Sequence, residues 1–219
     1  MIVYTVDKGE YITMKESLRR QPKGKRNLYV NLTNRCTCAC TFCLRSLKDM
    51  PQDQTLWLRE EPSVEAVKTA LDAAPWEYIR EVVFCGFGEP TMRLDDLIEL
   101  MRYIKRTHKF VHTRLNTNGL SDLAYGKDTS VLFAGGMLDT ISISLNASNA
   151  ERYLELTRSQ FGLPSFEAML TFAVRCQQYV PNVVLTIVDQ VEGPDEIERC
   201  QKLCEARGLK LRIRPYEAN

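Results

Sequence analysis

The segment Leu28-Tyr-Val-Asn-Leu-Thr-Asn-Arg-Cys36-Thr-Cys-Ala-Cys40-Thr-Phe-Cys43 joins an apolar run to a crowd of cysteines. Leu28 to Leu32 reads as a buried strand, with the cysteines at its C-terminal end. The spacing Cys36-x3-Cys40-x2-Cys43 offers three thiolates. On a four-iron cluster, three would leave one iron without a protein ligand and open to a small molecule. Thiolate runs of this kind suit iron–sulfur clusters. Cys38 lies inside a spacing that is already complete and reads as a spare thiol.

Outward from this segment, strands and helices alternate. Strands are expected at 28–32, 81–85, 110–116, 138–145, 183–188 and 209–215, and helices near 64–74, 95–108, 122–134, 149–157, 165–179 and 194–207. Such alternation predicts a parallel sheet with helices outside it. Six βα units are too few for a closed eight-stranded barrel, so the expected fold is α/β: an open parallel sheet curved into a partial (β/α)6 barrel. One domain is expected over 1–219. Residues 1–27 form a hairpin (Ile2–Val6 and Tyr11–Met14 about Asp7-Lys-Gly-Glu10) and a basic connector, and 28–215 form the barrel. The connector, with Lys15, Arg19, Arg20, Lys23, Lys25 and Arg26, is either a solvated linker or a face for a phosphate-bearing substrate. In such folds ligands sit at the C-terminal ends of the strands.

A length of 219 residues suffices for a sizeable core, and a net charge of +1 points to neither nucleic acid nor membrane. No apolar run approaches the roughly 20 residues that span a bilayer. The N-terminus lacks a signal-peptide pattern, so a cytoplasmic location is expected. Eight cysteines without an export signal argue against a disulfide framework, and four of them fall between positions 36 and 43. Cys176, Cys200 and Cys204 have the spacing of core residues.

The second strand ends in Cys85-Gly-Phe-Gly-Glu-Pro90. Its glycines let a ligand approach the backbone, its carbonyls could receive an ammonium group, and Glu89 could support that group. Asn116-Thr-Asn-Gly119 closes the third strand, where Asn118 is either a turn former or a polar contact at the rim. The stretch Arg45–Pro62 is long for a loop and suggests a lid, with Trp57 either packing it down or touching substrate. His108 and His112 fall at the N-terminal side of strand three, away from the rim. Arg212 and Arg214 share a face of the last strand and either meet an anionic substrate or form salt bridges.

Cys-x3-Cys-x-Phe42-Cys after one strand and Gly-Phe-Gly-Glu-Pro after the next resemble the radical S-adenosylmethionine (SAM) superfamily over residues 28–215. The resemblance implies the same partial barrel. It also implies a [4Fe-4S] cluster on Cys36, Cys40 and Cys43, with SAM chelating the fourth iron. Gly86, Phe87, Gly88 and Glu89 would meet the methionine amine, Phe42 the adenine, and Ser144 and Asn146 the ribose. Asn118 would face SAM or substrate, Arg158 the SAM carboxylate, and Ile187 the adenine, although the full Gly-x-Ile-x-Gly-x-x-Glu motif is absent. The implied chemistry is reductive cleavage of SAM to a 5′-deoxyadenosyl radical that abstracts hydrogen from a small-molecule or nucleotide-like substrate. A flavodoxin or ferredoxin would be the low-potential electron donor. Cys-Thr-Phe-Cys-Leu-Arg and Leu-Trp-Leu-x-x-Glu-Pro further resemble the members linked to TatD-type hydrolases. Two other functions compete: an activating enzyme for a glycyl-radical protein, and a non-catalytic iron–sulfur or zinc module.

Overall fold

Apolar alternation along the strands and three-to-four spacing along the helices build one layered sheet. The computed structural model describes residues 1–47, 55–189 and 191–215; positions 48–54 of the expected lid lie outside them. β1 (Val3–Asp7) and β2 (Glu10–Ile12) form the N-terminal hairpin, followed by α1 (Met14–Arg20) and β3 (Arg26–Val30). Then come α2 (Leu44–Leu47), α3 (Val64–Asp72), β4 (Ile79–Phe84), α4 (Leu94–Thr107), β5 (His112–Thr117) and α5 (Ser121–Tyr125). The chain continues through β6 (Thr140–Ser144), α6 (Ala150–Thr157), α7 (Pro164–Cys176), β7 (Asn182–Val188), α8 (Pro194–Ala206) and β8 (Lys210–Arg214). The order across the sheet is β2-β1-β3-β4-β5-β6-β7-β8. β3 to β8 are parallel and follow chain order, whereas the hairpin joins antiparallel through Val3↔Val30 and Tyr4↔Tyr29.

The expected open partial barrel is therefore present, widened by two antiparallel strands. The sheet curls: Arg212 on β8 comes within electrostatic reach of Tyr29 on β3 and Glu81 on β4. Among the described residues β8 does not pair back onto β3.

Strand parity separates two faces. Leu28, Val30, Val82, Phe84, Leu115, Ile141, Ile143, Leu185 and Ile187 turn outward and are fully buried under the helices. α4 supplies Leu94, Leu97, Met101 and Ile104, a stripe at the three-to-four spacing of a helix face. Each such side chain contributes about 1.5–3 kcal/mol on burial. Cys176, Cys200 and Cys204 are fully buried in this core. The concave face carries Glu81, Arg114, Asn116, Ser142, Ser144, Thr186 and Arg212.

Two local expectations are corrected. The connector is not all linker: Thr13 caps α1 by accepting from the Glu16 amide, and Glu16 grips Arg19 and Arg20. The helix expected over 122–134 breaks after Tyr125, where Gly126 takes a left-handed conformation at the C-cap, and resumes only as a short 3₁₀ turn over Ser130–Phe133.

Candidate cofactor site

Residues 31–43 contain no regular secondary structure, and distant segments give this loop its shape. On one side the Ala39 amide donates to the Thr157 carbonyl and the Thr41 amide to that of Leu156, both at 2.9 Å, while the Gln160 amide donates to Thr37. These bonds seat the cysteines on the C-terminal end of α6. On the other side Asn34 exchanges two bonds with the backbone of Leu58, and Arg35 pairs with Glu61 at 2.7 Å. Leu56 and Leu58 pack that flanking segment down, so Trp57, expected as either an anchor or a substrate contact, is left half exposed.

The glycines of Cys85-Gly-Phe-Gly-Glu-Pro90 meet this loop directly. A Cβ on Gly88 would lie 2.3 Å from the Thr33 carbonyl oxygen, and one on Gly86 would lie 2.0 Å from Asn31 Oδ1. The close approach they permit is thus, first of all, between the cysteine loop and β4's exit. Phe87 turns away from the cysteines into a small cluster with Tyr4, Tyr11 and Leu56 beneath the hairpin. Tyr4 also donates its hydroxyl to the Cys85 carbonyl, removing that carbonyl from the set open to a ligand.

Glu89 is buried beside this junction. One carboxylate oxygen accepts from the Thr91 amide, the Thr91 hydroxyl and the Thr117 hydroxyl, and the other accepts from the Asn118 amide at 2.7 Å. Burial pushes its pKa up, and these donors pull against that rise. Among the described residues no cation pairs with it. Asn118 links this carboxylate to the cysteines, because its side chain donates to Thr37 Oγ1 at 3.0 Å and faces the sulfurs of Cys36 and Cys38 at 3.9 and 3.7 Å. The Asn118 side chain thus turns to the cysteine loop.

Of the four thiols Cys38 is buried, and Cys36, Cys40 and Cys43 are partly buried. The Cys38 thiol and burial push Cys36 up. Cys38 hydrogen-bonds with Cys36, which pulls it down, but Cys40 and burial carry it to about 12. Tyr153, fully buried on α6, directs an unpartnered hydroxyl into the same region. Three thiols with soft-ligand chemistry, an orphaned hydroxyl and an uncompensated carboxylate fit a sulfur-ligated cluster with a cationic companion. Among the described residues no three His, Cys, Asp or Glu side chains, the cysteine triad included, are gathered closely enough to grip a metal ion as they stand.

The remaining candidates divide. Ser144 ends β6 on the concave face, and Asn146 follows it in a left-handed conformation, φ 62°. Arg158, also left-handed at φ 47°, caps α6 immediately after Thr157, the residue that holds Ala39. Left-handed non-glycine residues are uncommon and gather at functional sites. Phe42 packs partly buried against the main core. Ile187 is not brought into the bowl: it pairs in register with Ile213 and lies with Val183 and Leu185 under the helices, while Thr186 and Val188 face inward. His112 sits at the far end of β5 by Thr140, and His108 stacks on Trp76 at 3.5 Å, both away from the cysteines.

Comparisons with known proteins identify the family and the fold. Residues 30–204 match the family model described as the Radical SAM superfamily. The chain is 31% identical over 193 residues to GTP 3′,8-cyclase of Corynebacterium glutamicum, covering 86% of this chain and 48% of that one. It is 30% identical over 204 residues to a probable GTP 3′,8-cyclase of Methanopyrus kandleri, covering 91% and 59%. It thus spans about half the length of the curated relatives it matches. Streptococcus suis SuiB bound to S-adenosylmethionine superposes over 93% of this chain and 42% of that one, with TM-score 0.64 at 16% identity, a likeness of fold. With that match and the cysteine triad at the mouth of a partial barrel, the chain belongs to the radical SAM superfamily.

Proposed function

We propose that this chain is the SAM-cleaving core of an enzyme that abstracts hydrogen from a small, nucleotide-like substrate. The observation that carries the reading is Glu89, a buried carboxylate with four donors, no cation among the described residues, and a one-residue link through Asn118 to the cysteine loop. A cationic amine seated there would offset the burial that raises its pKa. Family membership brings a [4Fe-4S] cluster and SAM, which together supply one-electron radical chemistry when bound. In this reading Cys36, Cys40 and Cys43 hold the cluster. Glu89 and the backbone of Gly86–Gly88 orient the amine, Ser144 and Asn146 meet the ribose, and Arg158 meets the carboxylate. Phe42 lies near the adenine, and Asn118 fixes the distance between Glu89 and the cysteines.

The nucleotide class is supported by the relatives named GTP 3′,8-cyclase. A reductant of the flavodoxin or ferredoxin kind is required by the chemistry. Linkage to a TatD-type hydrolase rests on the sequence resemblance alone, and co-purification from native cells tests it. The central test is anaerobic reconstitution followed by reduction in the presence of SAM. Iron with acid-labile sulfide and release of 5′-deoxyadenosine are expected; a fully loaded cluster that never cleaves SAM, with or without nucleotides, sinks the proposal. No helix among the described residues is long and apolar enough to cross a membrane.

A further inference from the structure

The concave face below the cysteines carries more positive than negative charge. Arg114 on β5 and Arg212 and Arg214 on β8 point into it, where Arg212 lies within electrostatic reach of both other guanidiniums. Among the described residues their ion pairs reduce to one, Arg114 to Glu81 at 2.8 Å. Arg212 has a single hydroxyl partner, Ser142 Oγ at 3.2 Å, and Arg114 Nε is buried with no partner. Arg212 itself stays exposed on the last strand of the sheet; partial desolvation first, and the two like charges second, hold its pKa below its ordinary value. Nothing in the fold requires this. The core lies on the other face of β5, and bringing like charges together is unfavourable. A concave wall of one sign focuses its field into the cavity.

We infer that Arg114, Arg212 and Arg214 form an anion subsite that takes a phosphate or diphosphate group of the substrate. Two charges with no carboxylate partner among the described residues call for a multiply charged ligand. Guanidinium forks offer several parallel donors to tetrahedral oxygens, which a single carboxylate would not use up. Position fits the rest of the site. Arg114 stands two residues before Asn116 at the end of β5, and Arg214 is in register with Val188 at the end of β7. A substrate held there by its anion extends its other end toward Ser144, Cys85 and the cysteine loop. The subsite rests on the reading of this bowl as the substrate chamber.

Inorganic pyrophosphate is the probe, titrated calorimetrically into the anaerobically reconstituted holoprotein with neither reductant nor SAM turnover. Saturable binding is expected, weakening as salt rises. Arg212→Gln and Arg114→Gln should each lower affinity by about tenfold or more, and Arg212→Lys by less. Arg19→Gln, on the outer surface, should leave it unchanged. Arg114→Gln strands Glu81 and risks misfolding; Arg212→Gln removes one weak hydroxyl contact and keeps the test decisive. Absence of saturable binding, or equal affinity in wild type and an Arg212→Gln/Arg214→Gln double variant, overturns the subsite. Because no SAM is cleaved in this measurement, its failure leaves the cofactor assignment standing, and failure to release 5′-deoxyadenosine leaves the subsite standing.

Discussion

The two ends of the parallel strands treat their acids in opposite ways. At the N-terminal end, Asp139 enters β6 with Lys105 at 2.6 Å and donors from the Thr113 amide and hydroxyl. Burial alone would push its pKa up, but Lys105 and Thr113 together carry it below the ordinary value. At the C-terminal end, Glu89 has more donors but no cation among the described residues, and burial wins. Orphaned polar atoms lean the same way without following it strictly: Asn31 Oδ1, Asn116 Oδ1 and the Tyr153 hydroxyl lie near the cysteine end, Arg114 Nε lies within β5, and Arg26 Nη1 lies at the N-terminal start of β3. The acid at the N-terminal end is satisfied internally and holds the fold. The other keeps unmet valence for something that is not protein.

The largest effect that would break this contrast is at the cysteines. Cys36→Ala, Cys40→Ala or Cys43→Ala should reduce iron after reconstitution to near zero by colorimetric assay; full iron in any one overturns its ligand role. Next, Glu89→Gln should weaken SAM binding, measured by equilibrium dialysis, by about a hundredfold or more, as expected for removing one member of a buried charge pair. Third, Asp139→Asn should destabilise the protein by about 2 kcal/mol in urea at pH 7, the scale of hydrogen bonds to a charged group. Because the folded value of Asp139 is depressed, this stabilisation exists above its unfolded pKa and vanishes as pH falls through the folded one, so variant and wild type should converge in acid. Glu89 runs the other way. Its folded value is raised, so its increment is present below the unfolded pKa and is lost as pH rises through the folded one. A wild-type minus Glu89→Gln difference that grows with rising pH would contradict this. Smallest, Cys38→Ala should retain iron and cost about 1 kcal/mol in the same urea titration, since it removes one buried sulfur from beside Asn118.

Local patterns were legible in the chain, and long-range facing was not. Cysteine spacing, the alternating strands and Gly-Phe-Gly-Glu-Pro are all short-range signals, and the partial barrel follows from them. What the glycines face could not be read, because Asn31 and Thr33 reach them from more than fifty residues away. One of Glu89's two hydroxyl donors was equally hidden, since Thr117 sits on another strand, whereas Thr91 is only two residues away. Ile187 was misplaced for a reason visible in the sequence: Val183, Leu185 and Ile187 alternate on one face, and that face belongs to the core. Thr13-x-x-Glu16 was a readable capping box that a basic composition masked.

The hydrogen bonds that shape the cysteine loop run to Leu58, 24 residues from Asn34, and to Leu156, 115 residues from Thr41. Loop closures of that span come late, after the strands between have assembled. A nascent chain therefore exposes its four clustered thiols well before they have a fixed arrangement. The order of events is imposed by connectivity: the sheet through α6 first, the thiol geometry second, and metal loading last, onto a folded acceptor.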